Sequence, residues 1–217
     1  MKDFKFMIPQ TIEFGVGALK KLPEIMKEND LDHVFLISDH GLEALGVVKK
    51  IQDIVEDAGL KCTTYLDIQA NPTSAIVADA TDKYRECGAS SIIALGGGGP
   101  MDVAKAVGVV ATYGGKIFDY EGNFKVPGPI VPIFAIPTTA GTGSEVTCVA
   151  VVSDINHAKD GVLAGPSMAI VDPEMTLTCP PLNTVTSALD AFAHAAEAFT
   201  QQMLTPSATS WLWKPSA

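Results

Sequence analysis

The sequence predicts an α/β fold with a doubly wound, mostly parallel sheet, followed by the start of an all-α domain. Short β-branched and aliphatic runs alternate with longer amphipathic segments, a pattern typical of βαβ units. One such run, Ser91–Leu95, leads directly into four glycines and then into a helical segment. After Pro180 and Pro181 the chain becomes rich in alanine with helical spacing, which indicates a change of architecture.

The individual elements follow from periodicity and from the residues that end each segment. Gly59 and Gly88 each follow a helical segment, as expected at helix ends. Pro132 indicates that the fourth strand begins at a sheet edge. The predicted strands are His33–Ser38, Cys62–Leu66, Ser91–Leu95, Ile130–Ile136 and Ala169–Asp172, preceded by two extended pieces in Phe4–Gly17 that form a hairpin or an exchanged strand. The predicted helices are Leu42–Ala58, Ser74–Cys87, one that begins at the glycines with Gly99 as N-cap, and Thr184–Thr200.

Length and composition bound the domain organisation and the partners. The 217 residues, 47% of them hydrophobic, suffice for one full core and part of a second. We therefore expect an α/β domain over residues 1–180 and the beginning of a helical domain over residues 181–217. The net charge of −10 is spread along the chain, which disfavours nucleic acid and anionic membranes as partners.

The cysteines and the amino terminus indicate a cytoplasmic protein. None of the four cysteines has a Cys-x-x-Cys spacing, which argues against a structural zinc site and favours reduced thiols. The first ten residues contain no apolar run typical of a signal peptide, and no segment is long and apolar enough to span a membrane.

Two loops carry chemical signals, and each directly follows a predicted strand. In the segment Gly96–Asp102, glycine backbone leaves N–H groups at a helix start open to a phosphate. The segment departs from the Gly-x-Gly-x-x-Gly fingerprint because Met101 stands at the last glycine position, so a simple tight turn is the alternative. The second loop, Thr138–Glu145, offers hydroxyl groups between glycines; it fits a ligand clamp or a polar turn.

A third signal lies on the helix after Pro181. Asp190 and His194 stand four residues apart and so share one helical face. A carboxylate and an imidazole in this arrangement can chelate one divalent ion, although at least three ligands are usual. An ordinary polar pair on a helix is the alternative.

Taken together, these segments resemble the iron-dependent (group III) alcohol dehydrogenase family. The resemblance rests on the glycine loop with Asp102 and Lys105, on Pro137–Glu145, on Asp172–Glu174, and on Asp190, His194 and Glu197 in order. It covers roughly residues 4–203. The resemblance implies a Rossmann-like NAD-binding domain, a helical domain, and Fe²⁺ or Zn²⁺ held by one aspartate and three histidines. It also implies a small alcohol or aldehyde substrate and a homodimer.

The resemblance also assigns roles by position. The pyrophosphate of NAD would be held by Gly97, Gly98 and Asp102, and the nicotinamide side would be lined by Thr138, Thr139, Thr142 and Ser144. Asn71 and Lys159 would lie beside the cofactor, and Asp190 and His194 would ligate the metal. Asp39 follows a strand, where its carboxylate would accept hydrogen bonds from the adenosine ribose and repel a 2′-phosphate, which favours NAD over NADP. No general base is indicated.

The carboxyl-terminal segment departs from the family pattern, because the two further histidines that the resemblance implies are missing. Thr209–Ala217 has no helical pattern and contains two tryptophans. Back-translated with TCN codons for serine and read one base earlier, these residues become an amphipathic helical pattern that resembles the next segment of the family. We therefore hypothesise a frameshifted tail on a truncated and inactive chain; a designed truncation is the alternative. Sequencing the gene tests this hypothesis. Two other functions stay open: a nucleotide-binding module without turnover, and a relative of the dehydroquinate synthase or glycerol dehydrogenase type.

Overall fold

The computed structural model describes residues 10–69, 71–122, 125–153 and 160–200. Its centre is a six-stranded sheet in the order β1-β8-β5-β4-β2-β3, and every neighbouring pair is parallel. These strands are β1 (Thr11–Phe14), β2 (His33–Ile37), β3 (Lys61–Tyr65), β4 (Ser91–Gly96), β5 (Ile133–Pro137) and β8 (Met168–Val171). A separate antiparallel pair consists of β6 (Val149–Val152) and β7 (Asp160–Leu163). The predicted doubly wound, parallel sheet is therefore confirmed.

Helices cover both faces of the sheet, which explains why its central strands β2, β4 and β5 are largely apolar and buried. The helices are α1 (Leu22–Glu28), α2 (His40–Ala44), α3 (Val47–Asp57), α4 (Ser74–Cys87), α5 (Gly98–Tyr113) and α6 (Pro181–Thr200). Alternate residues of the central strands pack on opposite faces: Phe35 and Ile92 join α4 and α5 in one core, whereas Leu36 and Ile93 join α1 and α3 in the other. The central strand β4 is buried over its whole length, as expected for a parallel sheet covered on both sides.

Two predictions about elements were wrong. The single helix predicted over Leu42–Ala58 is interrupted, because Gly46 adopts a left-handed conformation (φ 75°) between α2 and α3. The strand predicted over Ile130–Ile136 does not begin at a sheet edge. It begins at Ile133 and lies inside the sheet between β4 and β8, while Pro132 precedes it and accepts a hydrogen bond from the N–H of Ile92 through its carbonyl.

The first strand lies at the edge of the sheet. β1 pairs in parallel with β8, from Thr11 opposite Met168 to Phe14 opposite Val171. The first extended piece predicted within Phe4–Gly17 lies largely outside the described residues, so the choice between a hairpin and an exchanged strand stays a prediction. The predicted frameshifted tail, Thr209–Ala217, also lies outside them. Among the helices that the structure describes, none has the length and apolar character needed to cross a membrane.

Helix α6 differs from the other long helices in its packing. It begins at Pro181, and none of its twenty residues, all of which are described, is buried. Its apolar side chains are largely exposed, among them Leu182 (73%) and Phe192 (72%). The division of the chain into two domains at residue 180 stays a prediction.

Candidate cofactor site

An open cleft of about 690 Å³ lies at the carboxyl ends of the central strands. It is lined by residues that follow β2, β4 and β5, among them Asp39, Gly97 and Thr138. The chain continues from β2 outward to β3, whereas β4 pairs with the other side of β2, so the strand order changes direction between β2 and β4. Doubly wound sheets bind ligands at this switch point, and the volume lies within the range of about 300–1,000 Å³ for small-molecule sites.

The glycine turn, Gly96–Gly98, connects β4 to α5 within three residues. Gly96 has φ +145°, and a Cβ on it would lie 2.8 Å from Cγ of Pro100, so a side chain at this position would clash. Gly97 is the N-cap and α5 begins at Gly98. The prediction that Gly99 is the N-cap was therefore wrong: the helix begins two residues earlier, and Pro100 still lies in its first turn. The N–H groups of this first turn are available to an anion.

The threonine loop, Thr138–Glu145, lies directly against the glycine turn. A Cβ built on Gly97 would lie 3.2 Å from Oγ1 of Thr139, and one built on Gly98 would lie 3.3 Å from Cγ2 of Thr142. The buried Thr138 donates its backbone N–H to the carbonyl of Gly96 at 3.0 Å. Glycine backbone and threonine side chains therefore meet at this edge of the sheet, although 38 or more residues separate them in the sequence.

Asp39 occupies the first position after β2 and Ser38, on the wall of the cleft. Its Oδ1 accepts the backbone N–H of Leu42 at 3.0 Å and so caps α2. The neighbouring His40 also lines the cleft; its ring nitrogens lie 2.8 Å from Glu43 and 3.4 Å from Asp67. Hydrogen bonding to Glu43, followed by that to Asp67, raises the pKa of His40 above its ordinary value.

Asp102 and Ser144 are not among the residues that line the cleft; they belong to a hydrogen-bond network with Lys105. The Oγ of Ser144 donates to Oδ1 of Asp102 at 2.9 Å, and Nζ of Lys105 donates to Oγ of Ser144 at 2.8 Å. Burial raises the pKa of Asp102 against the opposing effect of Lys105. Burial also lowers the pKa of Lys105 to about 8, and Asp102 opposes this shift.

The lowered pKa of Lys105 predicts a pH dependence of stability. Below about pH 8 this lysine is protonated in both the folded and the unfolded chain, so it contributes no pH dependence. Between about pH 8 and its ordinary pKa of 10.5 the unfolded chain binds the extra proton, so the free energy of unfolding rises with pH. We expect this rise in denaturant titrations from pH 8 to pH 9, and we expect Lys105→Met to remove it.

The comparison with Lys105→Met is needed because the titration of another group lowers the free energy of unfolding as the pH rises. Burial raises the pKa of the Cys62 thiol to about 12, so this thiol lowers the free energy of unfolding above its ordinary pKa of 9. The contribution of Lys105 is therefore the difference between the two proteins at each pH. Parallel pH profiles of the original chain and Lys105→Met would contradict the prediction.

One predicted cofactor residue, Asn71, is not among the described residues that line the cleft. Asn71 is exposed and adopts a left-handed conformation with φ 57°; the described lining of the cleft ends nearby at Ile68 and Gln69. Lys159 lies outside the described residues. The roles assigned to both residues stay predictions, as do the roles of the other cofactor-binding residues.

The two predicted metal ligands share one face of α6. Nε2 of His194 lies 3.6 Å from Oδ2 of Asp190, and both side chains are exposed. No cluster of three or more potential metal ligands occurs within the parts of the chain that the structure describes. Asp190 and His194 therefore provide two donors where at least three are usual.

Several residues of the cleft were missed by sequence reasoning. His40 had no suggestive sequence setting, yet it stands next to Asp39 on the cleft wall. The lining also includes residues from the segment before α6 and from the first turn of that helix, namely Thr178, Cys179, Pro180 and Asn183. Their position depends on how this segment packs over the sheet, and no local pattern indicates it.

Comparison with known proteins identifies the family. The model of the iron-containing alcohol dehydrogenase family matches residues 9–173. The chain is 35% identical over 212 residues to choline dehydrogenase from Bacillus subtilis, and this match covers 94% of the chain and 53% of the relative. It is also 35% identical over 205 residues to NAD-dependent methanol dehydrogenase from Bacillus methanolicus, covering 93% of this chain and 54% of the relative.

The solved structures agree with this result. Sulfoacetaldehyde reductase from Bifidobacterium kashiwanohense, solved in complex with NAD+, superposes with a TM-score of 0.89 at 30% identity; the match covers 98% of this chain and 57% of that protein. The chain spans about half the length of the curated relatives that it matches. From the matched residues, the parallel sheet and the two loops that meet at its switch point, we conclude that the chain belongs to the iron-containing alcohol dehydrogenase family.

Proposed function

We propose that this chain is the cofactor-binding part of an NAD-dependent alcohol dehydrogenase that uses a divalent metal, Fe²⁺ or Zn²⁺, and converts a small alcohol to an aldehyde or ketone. The observation that carries the proposal is the contact between the glycine turn and the threonine loop at the switch point of the sheet. Family membership and the printed names of the relatives, a methanol dehydrogenase and a sulfoacetaldehyde reductase, support the reaction class.

The residues of the cleft suit each part of a dinucleotide. Gly97 and Gly98 offer side-chain-free backbone and free N–H groups to the pyrophosphate. Asp39 uses Oδ1 to cap α2, so its second carboxylate oxygen is the one that can accept from a ribose hydroxyl. Thr138 and Thr139 place hydroxyl groups on the wall beside the glycine turn. The bound NAD would supply the hydride acceptor.

The metal requirement rests on family membership. Asp190 and His194 are chemically suitable donors, but two donors do not complete a site. A nucleotide-binding module without turnover is therefore the second candidate function, because the described residues provide two donors where at least three are usual. The family match favours both candidates over a synthase of the dehydroquinate type.

A binding and turnover experiment separates these candidates. NADH binding is measured by fluorescence titration of the 217-residue chain, and bound metal is measured by elemental analysis after dialysis. NAD+ reduction is then followed with short primary alcohols. Stoichiometric metal with turnover supports the dehydrogenase, whereas NADH binding without metal or turnover supports the module. A chain that binds no NADH contradicts both.

The cofactor preference provides a prediction at Asp39. We expect Asp39→Asn to strengthen NADPH binding about tenfold relative to NADH, because a carboxylate and a phosphate a few ångströms apart repel by about 1–4 kcal/mol. Asparagine keeps a side-chain oxygen for the cap of α2, so the fold is preserved. The measurement is the ratio of the two dissociation constants, with Glu43→Gln on the same helix as the control. An unchanged ratio would show that Asp39 does not face the ribose.

We also propose a homodimer in the cytoplasm. The edge strand β1 and the turn after it expose Phe14 (74%) and Val16 (76%), and an exposed apolar edge strand favours pairing with another chain. All four cysteines are unpaired thiols, as is usual in a reducing compartment. Sedimentation equilibrium of the chain and of Phe14→Ser tests the dimer.

A further inference from the structure

Lys105 is the only buried lysine or arginine among the residues that the structure describes. Its side chain is 1% exposed, within α5 and seven residues after the first residue of that helix. A buried charge is strongly unfavourable unless hydrogen bonds and an opposite charge compensate it. The contacts of this ammonium group therefore indicate what it does.

The ammonium group has three hydrogen-bond donors and three acceptors within reach. Nζ lies 2.8 Å from Oγ of Ser144, 2.8 Å from the carbonyl of Val149 and 3.3 Å from Oγ1 of Thr147. The carboxylate of Asp102 lies 3.8 Å away. Ser144 belongs to the threonine loop, Val149 begins β6 and Thr147 lies between them, so one side chain of α5 connects the helix to both segments.

The lysine also determines the direction of the hydrogen bonds. An ammonium group only donates, so Oγ of Ser144 accepts from Lys105 and its single proton is directed to Oδ1 of Asp102. The backbone N–H of Ser144 in turn donates to Oγ1 of Thr142 at 3.2 Å. The side chain of Thr142 faces Gly98, where a Cβ added to the glycine would lie 3.3 Å from Cγ2. Neighbouring groups thus extend from Lys105 to the glycine turn.

Stability alone is a poor explanation for this lysine. Replacing a buried ionic group with an apolar side chain of similar volume is often neutral or stabilising, and the nearest carboxylate oxygen lies beyond hydrogen-bond distance at 3.8 Å. The acceptor Ser144, by contrast, belongs to the threonine loop, whose first residues Thr138 and Thr139 line the cleft. The geometry favours a role in holding these segments in place.

We propose that Lys105 is a positioning residue of the cofactor site, which fixes Ser144 and through it holds Asp102 and the threonine loop against the glycine turn. This inference rests on the proposed NAD site. Asp102 and Ser144 then support the cofactor site without lining the cleft, and they act on it through Thr142 and Gly98.

The experiment is a double-mutant cycle on NADH binding. The dissociation constant for NADH is measured for the original chain, Lys105→Met, Ser144→Ala and the double variant. We expect Lys105→Met to weaken NADH binding at least tenfold. We expect the double variant to bind NADH as tightly as the single variant with the lower affinity, because both substitutions interrupt one set of contacts. Lys105→Met combined with Asp39→Ala, whose side chain caps α2 and is not part of the Lys105 network, is expected to show independent effects.

Controls separate positioning from loss of stability. Ile51→Val, buried in the core on the opposite face of the sheet, lowers stability without touching the network, so its NADH affinity is expected to equal that of the original chain. Melting temperatures of all variants accompany the titrations. NADH binding that Lys105→Met leaves unchanged would overturn the positioning role and leave the proposed function intact. Absence of NADH binding by the original chain would overturn both.

If Lys105→Met does not fold, the original chain provides the test. The pKa of Lys105 is lowered to about 8, so NADH affinity is expected to fall severalfold from pH 7 to pH 9 as the ammonium group loses its proton. The other titratable groups that face Lys105 are Asp102, Glu145 and Cys148. Burial raises the pKa of both carboxyl groups, and Cys148→Ala removes the thiol. A flat profile in the Cys148→Ala variant would overturn the proposal.

Discussion

Gly98→Val is expected to weaken NADH binding at least about 100-fold, equivalent to about 3 kcal/mol. The Cβ of a substituted residue would already lie 3.3 Å from Cγ2 of Thr142, and the two methyl groups of valine would add bulk at the contact between the glycine turn and the threonine loop. The threonine loop must then move, or the side chain must occupy the space in front of the helix N-terminus. Either outcome removes the close approach of a phosphate to the backbone.

The neighbouring glycine provides the matched control. A Cβ on Gly99 would lie 3.7 Å from the nearest atom, the carbonyl oxygen of Gln69, which is an ordinary contact. Gly99→Ser is therefore expected to bind NADH within about threefold of the original chain, a difference below about 1 kcal/mol. Equal affinities for Gly98→Val and Gly99→Ser would show that the cofactor does not approach this turn.

Gly141→Ala is expected to displace α6 from the threonine loop. An ideal Cβ on Gly141 would overlap the carbonyl oxygen of Ser187 and lie 2.9 Å from the Cα of that residue. Because these are backbone atoms, no side-chain rotation can relieve the overlap. Overpacking of this kind costs about 1–3 kcal/mol, and α6, which has no buried side chain, has little other packing to oppose the displacement.

Hydrogen exchange measures this effect directly. Amide protons of α6 are expected to lose protection in Gly141→Ala, whereas those of the central strands β4 and β5 are expected to keep it. Ala140→Ser is the control, since Ala140 is exposed and adjacent. Unchanged protection of α6 in Gly141→Ala would mean that the helix is held by other contacts.

The strands of the sheet could be predicted from the sequence because burial on both faces requires continuous apolar runs. His33–Ile37 and Ser91–Gly96 have this pattern, and both are strands. Ser74–Cys87 begins after a threonine cap and ends at Gly88 in a left-handed conformation, so both ends of this helix were predicted correctly. The break at Gly46 was missed because a glycine inside a helical pattern is often tolerated.

The candidate site was only partly predictable. The glycine turn and the threonine loop have distinctive compositions, and strand order brings them together. The burial of Lys105 was not indicated, because a lysine within an apolar helix is more often partly exposed than enclosed. Its environment depends on β6 and on the packing of the threonine loop, both of which are tertiary features. The antiparallel pair of β6 and β7 was not predicted either, because these strands are short.

The pairing of the first and last strands of the sheet has a consequence for how the chain folds. Thr11 in β1 lies opposite Met168 in β8, and the N–H of Leu19 donates to the carboxylate of Asp172 across 153 residues of the chain. Contacts this distant in sequence form slowly because a large loop must close before they are gained. During synthesis on the ribosome, the amino-terminal strand emerges first but finds its neighbour only after β8 has emerged. The edge of the sheet nearest the amino terminus is therefore the last to assemble.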